Sequence, residues 1–435
     1  MRFCFDWRRN VDNRAGVWYK NGMDDSSYVL TLYSKYMEQC LSDFMVNGNT
    51  FVESARTVLR NTYTSCSVSE FLKDIFPATI SIFIKNALVY QAEMFKSMKL
   101  DEALPDFKKL LNGVKSKVVA QNKTIGNAQL YKLIREALVH TDTEHPNFQI
   151  AGMGKFSLKL KPKGQPEINL ILNNTEMMSI VSVFNLNLDD SAYHIKINES
   201  DLQDAIDKEK VNKNNIDNFI SLTREQKAVD FDDYQKDALL DYFYRYNDLL
   251  KTRYGFGSGK GELLMSRLPC KANANNLFMS NLRSIFYLSQ LSKNLDMNFE
   301  QYEQHFYDYS KKNNVPMREF VTVNPYFDIV YNLLVGTFAN VATTVNKSEL
   351  CSYVNNAGIQ IDENTANHLR NSFAHGRYFI NGKNDATVEF YDGKNTESLN
   401  HFASLNIRDI NNILVTQITA YDKQLAEREE ERSMW

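Results

Sequence analysis

The stretch "LRNSFAHGRYF", Leu369 to Phe379, places Arg370, Asn371 and His375 on one expected helix and stops that helix at Gly376. A glycine just past the last turn is an ordinary way to end a helix. An arginine followed five positions later by a histidine also puts a permanent cation and a proton-transfer group in one short segment. Which reading matters depends on whether the chain repeats the segment.

It does. "LIREALVHTD", Leu133 to Asp142, carries Arg135 and His140 at the same spacing. An apolar residue precedes each arginine (Ile134, Leu369) and a polar one follows it (Glu136, Asn371). A small residue comes next (Ala137, Ser372), then two apolar ones, then the histidine. A helix start stands eight residues before each arginine, at Asn127 and at Asp362. Only two of the 7 histidines lie five after an arginine, and they are these two.

The surroundings are doubled as well. Apolar residues at helical spacing predict helices over Tyr28–Asn47, Ser67–Met98 (broken near Pro77), Leu104–Val119 and Asn127–His140. Alternating patterns then predict strands over Phe148–Gly152, Lys155–Leu160 and Glu167–Leu172. Thr175 is the expected cap of a short helix ending at Phe184. The second half restarts with helices over Asp232–Thr252, Asn275–Leu295, Phe299–Lys311, Pro325–Asn346 and Asp362–His375. Strands over Tyr378–Ile380 and Thr387–Tyr391 follow, then a last helix capped by Asn406. Helices, motif helix, β-hairpin and helix therefore occur twice, an internal repeat of architecture. The polar stretch between them sets the expected organisation: a first unit at 1–190, a linker at 191–229 and a second unit at 230–435.

Composition bounds the rest. The 435 residues are 43% hydrophobic and 24% charged, ample for large cores. A net charge of -3 requires any nucleic-acid contact to come from a local patch. The 5 cysteines form no CxxC pair, so neither a disulfide framework nor a zinc site is expected, and the reducing cytoplasm is the expected location. Met1–Asn10 shows no signal-peptide pattern, and no membrane span is expected.

The Arg-x4-His spacing resembles the motif of the HEPN superfamily, the small helical domains of many prokaryotic defence ribonucleases. "LRNSFAHGR" is a close match, including the asparagine after arginine; "IREALVH" departs from it at Glu136. Two motifs in one chain resemble the paired HEPN domains of RNA-guided type VI CRISPR nucleases and, at this length, the abortive-infection proteins of phage defence. The resemblance implies a mostly α fold of two HEPN-like units, each with a short β-hairpin after its motif helix. It implies a metal-independent endoribonuclease, antiviral or toxic, that leaves a 2′,3′-cyclic phosphate and a 5′-hydroxyl. The site would be shared between the two motifs as an intramolecular pseudo-dimer. RNA is then the expected substrate. A noncoding RNA, an antitoxin or a second copy of the chain are the further partners to consider, with no cofactor, metal or membrane.

The residue types suit that chemistry. RNA carries its own nucleophile in the 2′-hydroxyl. Cleavage needs a base, an acid and positive charge on the phosphorane. Histidine titrates near neutrality, and the arginine fork binds phosphate and stays charged. Arg135, His140, Arg370 and His375 are the expected catalytic set, with Asn371 orienting a histidine or donating to phosphate. Five residues turn a helix by about 140°, so one motif does not aim both groups at one point, and two motifs are needed.

Other features have competing readings. Lys159, Lys161 and Lys163 of "KFSLKLKPKG", with Arg377, are candidate RNA-backbone contacts; charged edge strands also simply resist aggregation. "YGFGSGKGELL", Tyr254 to Leu264, lacks the first glycine and the final hydroxyl residue of a phosphate loop. His368 precedes Arg370 and is either a supporting residue or a surface one. In some HEPN toxins a tyrosine two residues after the histidine is modified; here Tyr378 is three after. The alternative function is a non-catalytic RNA- or nucleotide-binding module or antitoxin, favoured by a Glu136 carboxylate near a phosphate site. A helical interaction protein without a site is the third.

Overall fold

The computed structural model describes residues 25–62, 67–94, 111–121, 125–139, 147–151, 154–182, 268–312, 325–381, 387–393 and 400–433. Twelve described helices and two small sheets follow in order: α1 Asp25–Asn47, α2 Phe51–Thr62, α3 Val68–Met94, α4 Asn112–Val119, α5 Asn127–Val139, strands β1 Phe148–Ala151, β2 Lys155–Leu160 and β3 Ile168–Asn173, then α6 Asn174–Ser182. The second series is α7 Leu268–Leu291, α8 Phe299–Lys312, α9 Pro325–Thr344, α10 Lys347–Asn356, α11 Glu363–Ala374, strands β4 Tyr378–Asn381, β5 Thr387–Asp392 and β6 Asn400–Asn406, and α12 Ile407–Ser433. The fold is mostly α, as the periodicity predicts. The linker at 191–229, the helix expected over Asp232–Thr252 and the loop Tyr254–Leu264 lie outside the described residues.

Capping sets the helix starts. Thr50 and Glu53 exchange backbone and side-chain bonds at the head of α2, and Asn298 and Gln301 do the same at the head of α8. These two equivalent caps touch: Thr50 and Asn298 form an isolated antiparallel bridge. Asn406 caps α12 as expected, its Oδ1 accepting from the Asp409 N–H at 2.8 Å. Thr175 does not cap α6. The strand β3 runs to Asn173, and Asn173 closes the helix instead, accepting from the Glu176 N–H at 2.9 Å.

Pro77 does not break α3, which runs unbroken from Val68 to Met94. Phe76 and Ala78 are buried beside it. Its carbonyl accepts from Ser81 Oγ of the next turn (2.7 Å) and from Asn174 Nδ2 at the head of α6 (3.1 Å), so this side of the helix is fastened to its neighbour where proline would favour a kink. This is the central helix. By length and composition it is the one described helix apolar enough to cross a membrane, but 89% of its apolar window is buried inside the protein.

Both sheets are three-stranded antiparallel meanders, β1-β2-β3 and β4-β5-β6. The second contains β6, which alternation had not marked, so the expected hairpin after α11 is a meander. Phe156, Leu158 and Leu160 of β2 and Ile168, Leu170 and Leu172 of β3 face the core. The outer edge of β3 is closed by α4 and the turn after it: Lys117 Nζ of the helix and Gln121 Nε2 just beyond it donate to the Ile171 and Asn169 carbonyls.

The packing repeats as the sequence does. α3 packs on α5 and α6 as α9 packs on α11 and α12, and β2 lies on α5 as β5 lies on α11. Between the halves the contacts are crosswise: α3 against α7, α1 against α9, and α3 against α9 at the centre. One continuous core runs from Leu30 to Leu414 through both series. At the α3–α9 crossing, Asn86 Nδ2 donates to the Gly336 carbonyl (3.3 Å), and Lys85 Nζ donates to Asn340 Oδ1 (2.7 Å) and Thr343 Oγ1 (3.0 Å). Lys85 is buried, with its ammonium 4.8 Å from the centre of the Phe148 ring. Shared amide, hydroxyl and aromatic contacts are what make such burial tolerable.

Candidate active site

The two motif helices end on the same structure. α11 begins with Asp362, whose side chain accepts from the Thr365 N–H, and buries Ala366, Leu369 and Phe373. Its end is a Schellman turn: Gly376 has φ +61°, the Arg377 N–H donates to the Ser372 carbonyl (2.8 Å), and the Gly376 N–H donates to that of Phe373 (3.4 Å). The helix-ending reading of Gly376 is therefore correct. It does not compete with the site reading, because the turn fixes His375 as the last residue before the chain reverses. α5 buries Leu130, Ile134, Ala137 and Leu138, leaving Arg135 at the border of the core.

Arg135 and His375 meet on one carboxylate. Glu93, in the last turn of α3, pairs through Oε1 with Arg135 Nη2. Its Oε2 lies 3.1 Å from His375 Nδ1. Arg135 Nη2 also approaches the Ala374 carbonyl at 3.4 Å. The side chains are 12% (Arg135), 11% (Glu93) and 21% (His375) exposed, so the imidazole is the most accessible of the three. An acid in the last turn of a helix faces the negative end of the helix dipole. Two potential cations meet it there and offset that unfavourable field.

The rest of this helix end is equally committed. Gln91 Nε2 donates to the Val181 carbonyl (2.7 Å), and Tyr131 OH donates to Gln91 Oε1 (3.1 Å). Tyr90 and Tyr378 share a hydroxyl–hydroxyl bond of 2.7 Å. Four segments are thus pinned to the α3 terminus: α5, α6, the end of α11 and β4.

Arg370 takes the corresponding place on the other side. It turns toward α9, where its Nε donates to the Ala342 carbonyl at 3.1 Å. Burial holds its guanidinium below the ordinary value. Its equivalent Arg135 meets a carboxylate on α3; Arg370 meets a backbone carbonyl on α9. His140 lies outside the described residues.

The supporting residues fall elsewhere. Asn371 does not turn to His375; its Nδ2 donates to Asp392 Oδ2 at 3.1 Å. One residue past Arg370 the helix has rotated by about 100°, which carries Asn371 to the sheet side. Asp392 also accepts from Arg377 Nη1 (2.6 Å) and lies 2.7 Å from His368 Nδ1. Arg377, expected to touch RNA, is spent on this buried carboxylate and on the Gly393 carbonyl. Burial works to raise the Asp392 carboxyl. The bonds from His368, Asn371 and the Gly393 N–H, with the Arg377 charge, outweigh it and hold the group below the usual range.

The lysine row is broken up. Lys159 stands on the outward face of β2, which is the middle strand and not an edge. Lys161 and Lys163 fall beyond Leu160, because Pro162 cannot continue the ladder and the chain turns at Gly164. Glu136 pairs with Lys132 on the exposed face of α5, at 3.7 Å, away from Glu93.

Sequence reading missed Glu93 and Asp392. The available signal for Glu93 was an acid in the last turn of a long helix, where the dipole disfavours it. Comparison with family models, with curated proteins and with solved structures returns no match, so the reading of the site rests on the residues themselves.

Proposed function

We propose that the chain is a metal-independent endoribonuclease whose site is shared between its two Arg-x4-His motifs, resembling HEPN proteins of antiviral defence and toxin systems. One observation supports this above the others. The arginine of the first motif and the histidine of the second, more than half the chain apart, meet on Glu93. Chance placement of two unrelated helix ends does not require that.

In this reading the site takes an arginine from the first motif and a histidine from the second: Arg135 serves with His375, and Arg370 and His140 complete the set. The imidazole moves the proton between the 2′-hydroxyl and the 5′-oxygen, while the guanidinium stabilises charge on the phosphorane. The products are a 2′,3′-cyclic phosphate and a 5′-hydroxyl. RNA is the substrate, and an antitoxin or a noncoding RNA is the class of regulator to seek.

The test is incubation of purified protein with end-labelled RNA in EDTA. Cleavage is expected, with loss in His375→Ala, Arg135→Ala and His140→Ala and none on 2′-deoxy substrate. Cleavage of 2′-deoxy substrate, or full activity in His375→Ala, overturns the assignment. The alternative, a non-catalytic RNA- or nucleotide-binding module, gains one observation: Glu93 already neutralises Arg135. It predicts binding without cleavage.

A further inference from the structure

The end of β5 departs from its counterpart in the first half. β2 and β5 are both six-residue middle strands, each lying on the motif helix of its half. The inward positions of β2 are Phe156, Leu158 and Leu160; those of β5 are Val388, Phe390 and Asp392. A buried carboxylate stands where the repeat has a leucine. Its surroundings change with it. Asn371 and Ser372 of α11 correspond to Glu136 and Ala137 of α5; Glu136 pairs with Lys132, and Ala137 has no hydroxyl. We propose that Asp392 is a positioning residue of the second motif: with Tyr391 it grips the chain on both sides of His375 and sets the turn that carries the imidazole. This rests on the ribonuclease reading and deepens it.

The grip is laid out symmetrically about His375. Before it, Asn371 Nδ2 donates to Asp392 Oδ2 (3.1 Å). The Ser372 hydroxyl has two alternative acceptors, the Tyr391 carbonyl at 2.7 Å and the His368 carbonyl at 3.0 Å. After it, Arg377 Nη1 donates to Asp392 Oδ1 (2.6 Å) and to the Gly393 carbonyl (3.2 Å), and the Tyr391 N–H donates to the Arg377 carbonyl (2.9 Å).

The last turn of a helix frays, because its carbonyls have lost their intrahelical partners. A histidine placed there takes its direction from whatever holds the chain around it. Gly376 at φ +61° permits the reversal, and glycine permits other conformations as readily. The bonds to β5 select this one. Asp392 is held below the usual carboxylate range and so carries its charge at neutral pH. Bonds to a charged acceptor are about twice as strong as neutral ones.

Amide exchange in the full-length protein tests this, read by mass spectrometry on the peptide that covers the turn, well below the unfolding temperature of each variant. The His375, Gly376 and Arg377 N–H groups donate to the Asn371, Phe373 and Ser372 carbonyls, so loosening the turn speeds their exchange. Asp392→Asn and Arg377→Gln are each expected to speed it by about 10-fold or more, since each removes a charge-assisted bond. Arg377→Lys keeps the charge and is expected to restore part of the protection. Thr31→Ala is the control: it deletes a buried bond from α1 to Gln417 of α12 (2.6 Å), and is expected to lower thermal stability and leave exchange at the turn unchanged. In cleavage assays the kcat of Asp392→Asn falls by about 10- to 100-fold with little change in KM, as misplacement of a reacting group requires, while Thr31→Ala keeps its kcat. A merely structural Asp392 behaves as Thr31 does, with lower thermal stability and nothing else. Where Asp392→Asn does not fold, Arg377→Gln carries the same comparison. Wild-type exchange at the turn in the folded variant, or wild-type kcat, overturns the proposal and leaves the ribonuclease reading intact. A wild-type protein that cleaves no RNA overturns that reading, and the exchange result then decides alone whether β5 sets the turn.

Discussion

Gly336 of α9 passes beneath Asn86 of α3 so closely that a Cβ there would stand 2.8 Å from Asn86 Nδ2. The same amide donates to the Gly336 carbonyl. Glycine inside a helix ordinarily costs about 1 kcal/mol relative to alanine, so replacing one is often stabilising. Here the sign reverses, because a side chain must displace a buried amide and its hydrogen bond. Gly336→Val is expected to lose about 2 kcal/mol or more in denaturant unfolding. Asn86→Ala in the same chain should recover part of that loss. A Gly336→Val protein as stable as wild type would show that the two helices separate freely at this crossing.

The Thr50–Asn298 bridge and the crosswise contacts of α3 with α7 and α1 with α9 mean that neither series buries its own core. Residues 1–190 and 230–435 expressed apart are each expected to fail to give a cooperatively unfolding monomer. Co-expressed, they should co-purify as a complex. A single half that unfolds cooperatively as a monomer would contradict the shared core.

The region around Asp392 gives a pH prediction. Its carboxyl is held below the usual range in the folded protein. A depressed pKa contributes stability that is present above the unfolded value, about 3.9, and lost as pH falls through the folded value. Asp392→Asn is expected to cost about 1–3 kcal/mol near neutral pH, since charge-assisted bonds to His368 and Arg377 are lost. The gap between variant and wild type should close as the pH falls below about 4. A gap that is constant from pH 7 to pH 3 would assign the loss to shape instead of charge.

Much of this was legible because periodicity reports burial. The apolar spacing that marked α1, α5 and α11 is the spacing of Leu30, Met37 and Phe44, of Leu130 and Ile134, and of Leu369 and Phe373 in the core. Asp362 and Gly376 marked both ends of α11 because capping is local chemistry. The partner of Glu93 was not legible, since nothing within several residues of it names an arginine 42 positions away in α5. Asn371, expected to orient a histidine or donate to phosphate, bonds Asp392 instead; that partner was not legible, because it belongs to a strand whose register sequence does not give. The α10 helix, with its Asn346–Glu349 capping box, was overlooked because it is short and buries only Leu350 and Val354.

Tyr378 decides whether a modification near the histidine is available to this chain. The residue is 3% exposed, its hydroxyl bonds to that of Tyr90, and its ring packs on Phe373 and Phe390. Burial pushes both phenols well above their ordinary values. In an ultraviolet titration these two tyrosines are therefore expected to ionise only as the protein unfolds in alkali. Tyr378→Phe is expected to cost about 1 kcal/mol, the net worth of one hydrogen bond, plus the desolvation of an unmatched Tyr90 hydroxyl; Tyr90→Phe in the same chain should return part of that loss. An enzyme that attaches nucleotide to exposed tyrosines should leave Tyr378 unlabelled in the native protein and label it after denaturation, as read by mass spectrometry. Labelling of native protein at Tyr378 would require β4 to leave the α3 terminus, and would carry the end of the His375 turn with it.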